Sequence, residues 1–204
     1  MGDKSHFQSD LQKEKQLAIL LDSMYHNHLK NYGFKRVSDL NLQHRGVDLI
    51  MIQKNTQKTF FVDEKAQLDY VNDDLPTFAF EINYQKNGKT KPGWLYDPSK
   101  KTDFYALVTA IYADEPQTFT SCKITFVNRP KLLDLLTTRK LSQSRLEIYW
   151  EKAHGKHGKI KISELDSHSE GYLYASTQNK AEKPFNLILK LDFLIENGIA
   201  KRFV

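Results

Sequence analysis

The sequence predicts an α/β fold: an N-terminal helix, a central mixed sheet of about four to six strands with helices packed against it, and a C-terminal α+β elaboration. Three observations point there. Residues 9–32 carry apolar side chains at helical spacing. Residues 47–52 and 60–67 alternate apolar and polar side chains at strand spacing on either side of a polar turn. Helical and strand patterns then recur to the end with no linker-like segment between them. The chain therefore reads as one domain over 1–204, with a core at about 9–127 and the elaboration at about 128–204.

The helix over 9–32 is expected to be capped by Ser9 or Asp10 and followed by Gly33, with Leu17, Ala18, Leu21, Tyr25 and Leu29 as its buried stripe. Glu14 falls on that stripe, where leucine would pack better; it either serves a site or lies near the frayed helix start and reaches solvent. In the next pattern Val47, Leu49 and Met51 point one way, and Asp48, Ile50 and Ile52 the other. After Asn55-Thr56-Gln57-Lys58, Phe61, Asp63 and Lys65 share one face while Phe60, Val62 and Glu64 share the opposite one. The short turn makes the two strands an antiparallel hairpin and brings Asp48 back beside Asp63 and Lys65. An acid in an apolar strand is costly unless a partner or a metal uses it, and the rival reading of Asp63-Glu64-Lys65 is an ordinary surface cluster at a strand end.

Further along, 77–82 reads as a strand carrying Glu81, a secondary candidate that faces either the site or a solvated edge. Residues 104–112 and 119–127 read as strands, 129–136 as a helix with Pro130 in its first turn, and 143–152 as another helix. Residues 152–161 form a basic, glycine-containing loop, either a hairpin turn kept soluble by lysines or a track for a nucleic-acid backbone. A strand at 170–176 and a closing helix or strand at 186–197 complete the chain.

The order Asp48, a gap, then Asp63-Glu64-Lys65 resembles the signature of the PD-(D/E)XK nuclease superfamily, the group of many restriction endonucleases and archaeal Holliday-junction resolvases. Val47 stands where the motif's name has proline. The resemblance covers about 11–108, and the helix–Gly33–Phe34–strand order looks like the resolvase branch. It implies a restriction-endonuclease-like core and a metal-dependent endonuclease that hydrolyses phosphodiester bonds in DNA. On that reading Asp48 and Asp63 hold Mg2+ or Mn2+, the Glu64 carbonyl adds an oxygen, and Glu14 assists directly or through water. Lys65 acts on the water and the phosphate. Gln67 joins if the strand continues; otherwise it is a polar strand terminus. Hard oxygen donors suit magnesium, which makes bound water more acidic and neutralises phosphate charge.

Lys86, Lys89, Lys91, Lys100 and Lys101 make a basic stretch around Trp94, a candidate nucleic-acid contact or a solvated loop whose Trp94 plugs the core edge. A net charge of +5 and a pI of about 9.1 suit a polyanionic partner. DNA is the expected partner and RNA the second. The lone Cys122 excludes an internal disulfide framework and reads as structural. No run is long enough to span a membrane and no apolar leader opens the sequence, so a cytoplasmic protein is expected. There is no Walker loop, dinucleotide fingerprint, nucleophile elbow or convincing zinc pattern: His26 and His28 diverge on a helix, and His154 and His157 sit in the basic loop. Cutting both strands of a duplex is simplest with two active sites, which suggests a homodimer. The competing readings are an RNA nuclease with the same site, and an inactive nucleic-acid-binding or assembly module on the same fold.

Overall fold

The computed structural model describes residues 3–86, 88–116, 118–153, 155–176 and 183–204, with side chains from residue 12 onward. Helix α1 (Asp3–His28) leads into β1 (Tyr32–Arg36), the short α2 (Leu40–His44), β2 (Leu49–Gln53) and β3 (Thr59–Ala66). The alternation in the sequence dictates the β2–β3 hairpin. Leu49 pairs with Val62 and Met51 with Phe60, and their inner side chains pack under α1. β1 adds antiparallel to β2, with Phe34 opposite Met51.

α1 begins earlier than the expected cap and ends at His28. Ser9 and Asp10 therefore lie inside it. Gly33 is a strand residue opposite Ile52, with no left-handed conformation to end a helix. The expected stripe holds for Leu17, Leu21, Tyr25 and Leu29, which are buried, and Ala18, which is half-buried, but Glu14, expected on it, is exposed.

β3 stops at Ala66, and the chain then crosses to a second sheet. A single turn of tight helix (Leu68–Tyr70) precedes β4 (Thr77–Lys86) and β5 (Lys89–Pro92), after which β6 (Phe104–Glu115) returns parallel to β3. Parallel neighbours usually need a helical crossover; here a β-hairpin makes the crossing. β7 (Thr118–Asn128) then pairs antiparallel to β6. Next come α3 (Arg129–Thr138), capped by the Asn128 side chain with Pro130 in its first turn, and α4 (Gln143–Lys152), capped by Ser142. β8 (Gly158–Ile160), β9 (Gly171–Ala175), β10 (Phe185–Lys190), α5 (Leu191–Glu196) and β11 (Ala200–Arg202) follow. The basic loop thus ends in an edge strand, with His154 outside the described residues. The closing 186–197 segment is a strand followed by a helix.

Among the described residues the sheets are a mixed six-stranded one, in the order β1-β2-β3-β6-β7-β11, and an antiparallel five-stranded one, β5-β4-β10-β9-β8. The last third of the chain threads back into both, β10 beside β4 and β11 beside β7, so residue 128 marks no boundary between sheets. One core fills the space between the sheets, from Phe80 and Ile82 to Tyr105, Leu107 and Leu187. The other lies between the six-stranded sheet and α1. No helix of the described residues is long and apolar enough to cross a membrane.

Candidate active site

Continuing the β2–β3 register by one residue sets Asp48 opposite Asp63. The Asp48 amide donates to the Val62 carbonyl (2.9 Å), and the Asp48 carboxylate accepts from the Glu64 amide (2.8 Å). Asp63 is 2 % exposed. Its Oδ1 accepts from Lys65 Nζ at 2.5 Å, while its Oδ2 is buried with no hydrogen-bond partner. An orphaned carboxylate oxygen is expensive in a low-dielectric setting. Burial, and then the charge of Asp63, push the Asp48 carboxyl up to about 7; the Glu64 amide and Lys65 pull the other way only in part. The pair can relieve this conflict by sharing a proton or by binding a cation.

Asp63 and Lys65 lie on the face of the sheet that meets the second sheet. Beside them β6 contributes Tyr105, aligned with Asp63 and fully buried. The Trp94 ring stands edge-on to Tyr105 at 4.8 Å, and Lys65 Nζ lies 5.5 Å from the Trp94 centroid. Trp94 therefore plugs the core edge, as one reading of the sequence has it, and also walls the lysine. Arg129 anchors this layer, donating to the Tyr105 hydroxyl and to the Leu95 carbonyl.

Glu64 points the other way, toward α1. Its carboxylate accepts from the Tyr25 hydroxyl (2.9 Å) and from Arg36 (2.6 Å), and Arg36 also binds Asp22 (2.6 Å). Only the Glu64 main chain borders the carboxylate pair. Glu14 lines the same cleft from α1, a space of about 540 Å³ that reaches Asp48, Asp63 and Lys65. Among the described residues no three His, Cys, Asp or Glu side chains close into one ligand cluster, so the structure joins two carboxylates and leaves Glu14 on the rim. Gln67 lies just beyond β3, so the continuing strand that would align it with Lys65 is absent. Its side-chain amide donates to the Thr77 carbonyl instead. Glu81 sits on β4, on the face opposite Phe80 and Ile82, outside the cleft.

The lysines separate into two groups. Lys86, Lys89 and Lys91 are exposed on the β4–β5 hairpin at the edge of the second sheet, with Lys86 opposite Lys89. Lys100 and Lys101 adjoin the site: the Lys100 amine donates to the His44 carbonyl, and the Lys101 amide to the Arg45 carbonyl.

The sequence analysis assigned no site role to Gly46, Thr102, Asp103 or Arg36. Gly46 has φ +69°, and a Cβ there would lie 2.4 Å from Thr102 Oγ1 and 3.0 Å from Asp63 Oδ2. Thr102 is buried and donates to the Gly46 carbonyl (2.8 Å). Asp103 accepts from the Phe61 amide (2.8 Å), tying the returning chain to β3. The signals were the Lys-Thr-Asp run before β6 and the glycine two residues before Asp48. Compared with protein families, with characterised proteins and with solved structures, the chain matches none.

Proposed function

We propose that this protein is a divalent-metal-dependent phosphodiesterase that cleaves DNA, on a restriction-endonuclease-like core of α1, β1, β2, β3 and β6. One observation carries the reading. Two aspartates face each other across a hairpin, one with a buried, unpartnered oxygen, and a lysine lies on the same face. The donor set is hard and anionic, which fits Mg2+ or Mn2+. Asp48 and Asp63 would hold the ion, with the Glu64 carbonyl as a further oxygen and Glu14 reaching in through water. When bound, the ion supplies acidified water and neutralises phosphate charge.

The chain's own groups do the rest. Asp63 fixes the Lys65 ammonium, and Trp94 limits the space that it can sweep. Lys65 is thereby placed to orient a water and to meet the negative charge that grows on the phosphate oxygens during attack. Water oxygen bonds to phosphorus and gives up a proton to solvent, the phosphorus–oxygen ester bond breaks, and the departing oxygen takes a proton from solvent, so the net change is addition of one water across the ester. Lys100 and Lys101, beside the site, are placed to hold the phosphates that flank the reacting one.

The test is cleavage of supercoiled plasmid, branched DNA, single-stranded DNA and RNA with Mg2+ or Mn2+, comparing the native protein with Lys65→Ala. Metal-dependent cutting of DNA that disappears in the variant is the expected result. Cutting of RNA alone would move the substrate. Binding without cutting by the native protein would make this a nucleic-acid-binding module and overturn the enzymatic reading.

A further inference from the structure

A second groove, of about 690 Å³, opens on the α1 side of the six-stranded sheet. It lies toward the opposite end of the strands from the carboxylates. Phe60 precedes Asp63 by three residues of β3, about 10 Å along the strand. α1 stops at His28 and leaves this part of the sheet uncovered. Five half-buried rings line the groove: Tyr32, Phe60, Phe104, Phe126 and Phe203. Each packs one side against the core under α1. Tyr32 and Phe60 lie 6.3 Å apart, and Phe60 and Phe104 5.5 Å, so these three rings make a continuous path across the strands.

The rim is cationic. Lys30, Lys131, Lys201 and Arg202 are exposed around the rings, and no aspartate or glutamate is among the residues that line the groove. Lys131 donates to the Gly198 carbonyl, which leaves its charge intact. Arg202 reaches Asp192 at 3.3 Å in an exposed pair of little strength.

Rings in the floor and cations on the rim select an occupant with both phosphates and flat apolar faces. An acidic peptide would answer the cations and leave the rings idle. A duplex answers the cations too, but keeps its base faces stacked inside. An unpaired strand offers both, because every base has a face to stack and each linkage carries a charge. We propose that this groove holds an unpaired nucleic-acid strand, its bases against Tyr32, Phe60 and Phe104 and its phosphates on Lys30, Lys131 and Lys201. The site is separate from Asp48 and Asp63 and does not require that they be catalytic.

The test is fluorescence anisotropy of the full chain with a labelled strand of roughly 12 nucleotides, as DNA, as RNA and as duplex DNA. EDTA is present throughout, so cleavage cannot contribute and failure of the nuclease reading leaves the result interpretable. Single strands should bind more tightly than the duplex, and the DNA and RNA arms show which sugar is preferred. Lys131→Glu with Lys201→Glu should weaken binding at least about tenfold and flatten the salt dependence by roughly two counterions. Phe60→Leu should weaken single-strand binding about fivefold while leaving duplex binding unchanged. Circular dichroism checks that both variants fold. Native-like binding by the folded charge-reversed variant overturns the proposal. So does a silent Phe60→Leu together with equal competition by polyglutamate, which would make the groove an acidic-peptide site.

Discussion

Without metal, the native protein should lose stability as the pH rises from 5 to 8, and Asp63→Asn should remove a large part of that loss. In the folded chain Asp48 keeps its proton up to about 7, against 3.8 for an unperturbed aspartate. Between those values the native state binds more protons than the unfolded state, so stability falls with rising pH. At about 1.4 kcal/mol per unit, the part of that interval above pH 5 is worth roughly 3 kcal/mol by pH 8. Burial is the larger cause and the Asp63 charge the second, so the substitution should recover on the order of 1–2 kcal/mol of it. Urea denaturation of the two proteins side by side in EDTA at pH 5 and pH 8 measures the difference. Added Mn2+ should raise the stability of the native protein at pH 8 and leave Asp63→Asn unchanged. A native protein equally stable at both pH values would refute the raised Asp48 carboxyl, and a variant that Mn2+ stabilises as much would refute Asp63 as a metal ligand.

Other perturbations test the supports around it. Gly46→Ala should cost about 1–3 kcal/mol in chemical denaturation, because a Cβ on a left-handed backbone would collide with Thr102 and crowd Asp63; Thr102→Ser should be close to neutral and Thr102→Val should not. Arg36→Met leaves the Glu64 carboxylate, mostly buried, without its charge partner, and should cost about 3 kcal/mol. Asp22→Asn, at the more exposed end of the same network, should cost less than about 1 kcal/mol. Burial pushes the Cys122 thiol up to about 12, so alkylation by iodoacetamide at pH 8 should be slow in the native protein and fast in urea.

The β2–β3 hairpin was legible because two local signals agree: a polar turn, and alternation that sets Leu49, Met51 and Val62 inward. That pairing alone brings Asp48 to Asp63 and Lys65. The same alternation already placed Glu64 on the opposite face, and the structure spends its carboxylate there on Arg36 and Tyr25. The second sheet was not legible. Residues 77–82 read correctly as a strand, but nothing local says that β4 leaves β3 and takes β10 as its neighbour. Gly46 and Thr102 escaped for a related reason. Their meaning is a close approach between segments over fifty residues apart, and a turn glycine looks the same in sequence whatever packs above it. Gln67 was placed by extending a strand that ends one residue sooner, where its amide meets the Thr77 carbonyl.

The β-hairpin crossover between β3 and β6 has a kinetic consequence. β4 can finish its ladder only with β10, whose Lys190 meets Thr77 roughly a hundred residues earlier in the chain. Long loops must close before such contacts repay the lost entropy, so folding should be slow and should wait on late contacts. A nascent chain still lacking residues 185–202 has neither sheet complete. The wall that Trp94 and Thr102 give to the carboxylate pair is then unsupported on its far side. During synthesis this delay would hold back whatever reaction the pair carries out until the chain can also fold around it.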